Sequence, residues 1–534
     1  MRISRKAGLS PVIVAVLVGA LLVPLAPRAA LAATITVNTT ADTGGDDGEC
    51  SLREAVISAN TDTASGAMAG ECDAGSGADT IVLENKTYTL GVGGTLSVVE
   101  TLILEGNGAT IDGAGINRVM SVAGATLTVR NVTITGGAAS TGDGNGGGIR
   151  LTGGGADLIV EDSRIVDNTA TGEGGGVGTA QAGGPGMDIT ISGSTIAGNT
   201  AGFGGTIGRG GAVFALGGTL TIDTSTLSDN VSDGNGGAIF TGSFLDMVNS
   251  TISGNEARAE DSGVAFGGGL SAVSIATDQL SNVTVTDNFA ATDAGGVNGG
   301  TSFTADNTVM AGNSIGAAGS TVDCGSAGWT SGGNNLFGLA SGCPTDAPGG
   351  DVETADAMLG PLADNGGPTE THALLAGSPA IEAGDTTETA DQRGMSRAQG
   401  ADDDIGAFEY RGPLVVTRTD DPVPDGCVSG ADCSLREAVI DANAAASHDV
   451  VVLAVDTTYT LTLNDTSDSP LVGDLDVTDT TGQLTIVGNN SVIDAVGLSP
   501  NRLDRRQQKM LRPVATDKFV PRNRVFGVTA RCAI

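Results

Sequence analysis

The chain carries few side chains of the kinds that make and break bonds. Its two histidines, His372 and His448, lie far apart in sequence. A metal centre or a Ser–His–Asp relay would have to be built around one of them, and neither stands in a motif for such a site. His372 falls in the phrase Thr371-His372-Ala373-Leu374-Leu375 and is expected to be a structural member of it. Carboxylates are plentiful. Asp112-Gly113 and Asp494-Ala495 each follow an apolar strand pattern, where paired acids can chelate calcium or act as acid and base. Asp before a small residue is equally the chemistry of a turn, and no second fixed partner stands nearby, so turns are expected. Gly183-Gly184-Pro185-Gly186-Met187-Asp188 matches the start of a calcium-binding nonapeptide, but it occurs once, contains Pro and lacks tandem copies. Asp402-Asp403-Asp404 has the oxygens that calcium takes and reads as a solvated loop.

A lyase acting on sugars needs a base, and Arg130, Arg150, Arg164 and Arg209 are scattered. It also profits from aromatic platforms, and Trp329 is the one tryptophan. The sequence therefore assigns no catalytic residue and no cofactor, with calcium the one metal to consider. Seven cysteines in an exported chain suggest bridges. Neighbours in sequence give Cys50/Cys72, Cys324/Cys343 and Cys427/Cys433, with Cys532 left over; this is the simplest of many connectivities. Cys50 and Cys433 would be nucleophiles only if reduced, which export disfavours.

The expectation of export comes from residues 1–32. Arg2, Arg5 and Lys6 precede an apolar run from Pro11 to Leu25, and Ala30-Leu31-Ala32 is a small-residue cleavage site, so the mature chain is expected to start at Ala33. No later segment is apolar enough to span a bilayer. Between Ala33 and Pro500 there are 13 basic and 60 acidic residues, a net of −47. Such a surface repels nucleic acid and anionic lipid and excludes both as main partners. The partner expected instead is an extracellular or cell-wall surface ligand.

The elements that would position any site come from a repeat. A phrase of hydroxylated residue, aliphatic residue, two small or polar residues and Asn ends at Asn168, Asn199, Asn230, Asn255, Asn288 and Asn313, with spacings of 31, 31, 25, 33 and 25. Between its copies stands a second phrase, a small pair before an aliphatic residue, as in Gly175-Gly176-Val177 and Gly236-Gly237-Ala238-Ile239. A period of this length with short alternating strands is the mark of a β-solenoid, and no segment of it carries a helical apolar pattern. The fold expected is all-β, a right-handed parallel β-helix. Asn suits its corners through left-handed backbone and stacking of amides from coil to coil.

A solenoid end must be covered. Ser51-Leu52-Arg53-Glu54 reads as a capping box opening a short helix that stops near Asn60, an amphipathic plug for the first coil. Cys433 to Val439 repeats Cys50 to Val56, with Ser434 and Glu437 in the capping positions, and the strands after it are also repeated. The expected domains are a leader 1–32, an N-terminal cap module 33–125, coils 126–323, the end of the β-helix 324–410, an incomplete second cap module 411–500, and an atypical tail 501–534. That tail holds nine basic residues in 34. It is unlike everything before it and is read as a truncated or frame-shifted end, the alternative being a basic tail that grips an anionic cell wall.

Cys50 to Val56 and Cys433 to Val439 resemble the motif of CSLREA-domain proteins, which are exported bacterial proteins. NGGPTETHALLAGSPAIEAGD from Asn365, DQRG from Asp391 and DIGAFEY from Asp404 resemble a choice-of-anchor Q region. The Asn and Gly-Gly phrases are similar to the repeats of polymorphic outer membrane proteins. Together these resemblances imply a parallel β-helix at the cell surface or in the medium and carry no catalytic residue over. The function expected is a non-catalytic, structural or adhesive one; the alternative is a secreted carbohydrate-active β-helix enzyme of the lyase or glycosidase type.

Overall fold

A computed structural model describes residues 32–463 apart from the short stretches 92–93, 181–185, 262, 274–277, 301, 317–319, 326–329, 340–341, 345–349, 398, 425, 428–431 and 445–448. Beyond 463 it describes 475, 484–494, 525–527 and 532–533. Within these residues the chain is a parallel β-solenoid with two short helices. Three long sheets run along it, of 20, 9 and 8 strands.

One coil shows how the sequence makes the shape. Asp157–Glu161 alternates inward Leu158 and Val160 with solvent-side neighbours, bends, and continues as Arg164–Val166 with Ile165 inward. Thr169–Ala170 and Val177–Thr179 complete the turn. The next coil repeats this in register, with Leu158 on Ile189, Ile165 on Ile196, Ala170 on Ala201 and Val177 on Val213. Stacked aliphatics form one core cluster from Ile35 to Phe337. Nine strands in the second sheet, at ~4.8 Å each, make a rod about 40 Å long.

The corners differ from the expectation in one respect. The repeating Asn residues are fully buried and hold the left-handed corner without adopting it. Positive φ falls on the residue before each: Asp167, Gly198, Asp229, Gly254, Asp287 and Gly312. Asp and Gly alternate there because neighbouring coils crowd: a Cβ on Gly198 would lie 2.6 Å from Asp167 Oδ1, and one on Gly254 2.8 Å from Asp229 Oδ1. The Asn side chain instead stacks as expected. Each Nδ2 donates to the Oδ1 of the next, from Asn168 through Asn199, Asn230, Asn255, Asn288 and Asn313 at 2.8–3.0 Å. Asp323 closes the ladder, accepting from Asn313 Nδ2 at 2.9 Å.

The first coil is plugged by α1 (Leu52–Thr61). Ser51 is its N-cap in a complete capping box with Glu54, and Asp62 turns left-handed at its end. Leu52, Ala55, Val56 and Ala59 face the core. The second module has α2 (Leu435–Ala444), where Glu437 N donates to Ser434 Oγ and Ser434 N to Glu437 Oε2. It has its own core around Val439, Val451 and Tyr459. Disulfides join Cys50 to Cys72, Cys324 to Cys343 and Cys427 to Cys433. Among the described residues no helix is long and apolar enough to cross a membrane.

The last strand of the solenoid is Val352–Thr354 on Leu336–Gly338. The chain then turns back along the outside of the coils, and does not merely end the rod. A hairpin of Leu359–Ala363 with Thr371–Leu374 opens this returning flap. In the tail, 525–527 pairs antiparallel to Val492–Asp494.

Candidate functional site

The returning flap covers the hydroxylated outer row of the large sheet, where register stacks Thr195, Thr226, Thr251 and Thr284. Gln392 threads between two coils: Thr251 Oγ1 donates to its Oε1 at 2.7 Å, and its Nε2 donates to Thr226 Oγ1 at 2.9 Å and Thr369 Oγ1 at 2.8 Å. Arg393 pairs with Asp391, both nearly fully buried, at 2.6 Å, and its guanidinium lies 3.5 Å from the Phe408 ring centroid. Arg397 donates to Asn249 Oδ1 on the solenoid and to the Gly406 carbonyl. Glu409 accepts from Gln399 N and Asp404 N, and burial pushes its carboxyl up to about 7. The DQRG and DIGAFEY phrases are therefore a polar latch whose groups are bonded inside the protein.

His372 belongs to the same latch. Its Nδ1 meets the Gly360 carbonyl at 2.7 Å and its Nε2 meets Ser253 Oγ at 2.8 Å. Burial lowers its pKa, and a ring donating from Nδ1 accepts the serine proton at Nε2. Three features separate this Ser–His contact from a nucleophilic relay. The partner of Nδ1 is a backbone carbonyl, both residues are buried, and the hairpin seals them from solvent. His448, Trp329 and residues 183–185 of the nonapeptide-like stretch lie outside the described residues.

Beside the latch a groove of about 430 Å³ stays open. One wall is the outer surface of the large sheet, where Asp246 stacks on Gln279 and Ser281 stacks on Asp306. The other is the loop Asp385-Thr386-Thr387-Glu388, held by Asn282 Nδ2 donating to Thr386 Oγ1 at 2.9 Å and Asp385 N donating to Asn307 Oδ1 at 3.2 Å. Its ionisable lining consists of Asp246, Asp306, Asp385 and Glu388. Burial and repulsion from Asp385 and Asp351 raise Asp306; burial, Glu388 and Asp246 raise the neighbouring Asp223. The groove attracts cations, yet among the described residues no three Asp, Glu, His or Cys side chains converge as metal ligands.

The remaining residues singled out in the sequence are dispersed. Asp112 Oδ1 accepts from Ala114 N, a turn; Asp494 ends a strand of the second module. Asp404 is buried in the latch, Asp403 accepts from Thr386 N, and Asp402 is exposed, so the three do not form a cage. Arg130 pairs with Glu105 and Glu161, Arg150 with Asp143 and Arg209 with Glu173, while Arg164 is exposed on another coil. The groove itself was missed. Its acids are 139 residues apart in sequence between Asp246 and Asp385, and only the return of the flap brings them together.

No protein-family profile matches the chain, and no curated protein matches it either. Solved structures similar to it include pectate lyase Pel9A, at 14% identity over 71% of this chain and 96% of that one, with a TM-score of 0.43. Another is a mutant of AlyGC, an alginate lyase of the PL6 family, at 11% identity over 72% of this chain and 63% of that one, with a TM-score of 0.21.

Proposed function

We propose that this is an exported, non-catalytic β-helix protein of the CSLREA type, acting outside the cell as a structural or adhesive element. The observation that carries the reading is the lining of the open groove: its ionisable groups are carboxylates, with no Lys, Arg or His among the described residues that line it. Carboxylates, hydroxyls and amides along a rigid wall suit adhesion to a cationic or polyhydroxylated surface. They supply no cationic group to stabilise a developing negative charge. The buried Ser253–His372 contact supports the same reading, because the latch spends it on packing. A carbohydrate-active enzyme is the second reading, favoured by the raised carboxyls of Asp306 and Asp223 at the groove.

Binding of the purified chain to arrays of cell-wall polymers and glycans tests the first reading. The expected result is retention on at least one cationic or neutral surface, weakened tenfold or more by the pair Asp246→Asn and Asp306→Asn. Retention unchanged by the pair places adhesion elsewhere and contradicts the role given to the groove.

A further inference from the structure

The first strand of the solenoid begins at a carboxylate built to receive a positive charge. Thr34–Thr36 pairs in parallel with Asp79–Val82. Thr80 N donates to the Ala33 carbonyl at 2.9 Å, and Ala33 N donates to Asp79 Oδ1 at 2.9 Å. Asp79 is fully buried; Oδ1 also accepts from Ser76 N at 2.8 Å, while Oδ2 has no hydrogen-bond partner. Ser58 Oγ, on α1 beside it, is likewise buried without a partner. A Cβ on Gly75 would touch both residues, colliding with Asp79 Oδ2 and lying 2.6 Å from the Ser58 carbonyl oxygen. A buried carboxylate with one orphaned oxygen is costly, and a cation or donor there removes the cost.

The second module shows what fills this position. The strand registers of the two copies place Asp449 where Asp79 stands, and the matching helices place Asp441 of α2 where Ser58 of α1 stands. Arg411, just ahead of the strand Leu414–Val415, reaches both. Its Nη1 lies 3.4 Å from Asp449 Oδ1 and donates to the Asp441 carbonyl at 3.3 Å. Its Nη2 lies 4.0 Å from Asp441 Oδ2. The residue matching Arg411 in the first module is Ala32, which carries no charge.

We propose that cleavage of the Ala32–Ala33 bond supplies the missing cation, and that Asp79 is the binding site of the mature α-ammonium. Water adds across the peptide bond under a leader-removing endopeptidase. The Ala32 carbonyl carbon takes the hydroxyl, and the Ala33 nitrogen takes a proton from that water and a second from solvent. The resulting ammonium has three donors where the peptide had one. One keeps its bond to Oδ1 and another serves Oδ2. The small residues Ala30-Leu31-Ala32 after the apolar run give the endopeptidase its site. Leader removal and closure of the first coil become one event, and the new terminus is tied down where termini usually fray.

The test uses the full exported chain. N-terminal sequencing is expected to read Ala-Thr-Ile-Thr from Ala33. Its melting midpoint is expected to lie a few degrees above that of the same chain extended by Gly-Ala32 or acetylated at Ala33, and this gap is expected to close in Asp79→Asn. Should Asp79→Asn fail to fold, the wild-type α-amine is read directly: it is expected to react with an amine-directed ester at least tenfold more slowly in the folded chain than in the unfolded one. A terminus elsewhere, equal midpoints for free and acetylated chains, or labelling at the unfolded rate overturns the proposal.

Discussion

At the scale of single residues, the buried amide ladder is the feature on which the coils most depend. Asn230 Oδ1 accepts from both the backbone N and Nδ2 of Asn199, and its Nδ2 serves the Ile196 and Ser228 carbonyls as well as Asn255. Asn230→Ala leaves several of these groups unpaired in the buried interior and is expected to cost about 2–4 kcal/mol in denaturant unfolding. The last rung behaves differently. Asp323 is buried, and burial pushes its carboxyl up to about 6 against the two bonds from Asn313 that favour the ionised form. The folded chain therefore holds this proton more tightly than the unfolded one, and the stabilisation it gives is present below about pH 4 and lost as pH rises through about 6. Asp323→Asn is expected to remove that component, worth about 2–3 kcal/mol at most, and to raise stability at pH 7.5. Urea midpoints for both proteins between pH 4 and 8 check this. A wild-type slope that survives the substitution refutes it. The Asn ladder was legible from its period. A serine ladder was not, although Ser163, Ser194, Ser225 and Ser250 share the same spacings. Each backbone N there donates to the Oγ of the next coil at 3.0–3.1 Å. Serine is too common on solvent-side positions of strands to announce itself as an inward corner.

Among the elements, α1 was legible because every one of its signals is local: an N-cap, an N3 carboxylate and an apolar face. The structure adds bonds that the motif alone does not reveal. Ser51 Oγ also donates to the Thr43 carbonyl, and Glu54 Oε1 accepts from Gly45 N, so the cap ties the preceding acidic loop to the helix. Ser51→Ala is expected to destabilise by about 1–2 kcal/mol, more than an exposed cap because the hydroxyl is buried. Hydrogen exchange checks it: amides of α1 are expected to lose protection first. Protection unchanged across α1 contradicts the role given to the cap. The returning flap was not legible as a flap. Nothing in Asp391-Gln392-Arg393 says that Gln392 bonds Thr226 and Thr251, 166 and 141 residues away. Periodicity reports neighbours along a strand or helix, whereas the latch is made by irregular backbone whose partners are chosen by tertiary packing.

For the whole molecule, the long solenoid core and the latched flap decide which groups stay open to solvent. The coils are rigid through parallel pairing on three faces, the flap seals the Ser–His contact, and the open groove offers carboxylates, hydroxyls and amides. The net of −47 between Ala33 and Pro500 opposes acidic polymers such as pectate unless cations screen it. Turnover decides whether the groove is a binding surface or an active site. Purified full-length chain is incubated with pectate, alginate and neutral glycans, with and without millimolar calcium, and reducing ends and unsaturated products are followed. No product above the rate of a heat-denatured control is expected. Product formation that disappears in Asp306→Asn or Asp223→Asn, with folding intact, contradicts it and makes the groove an active site.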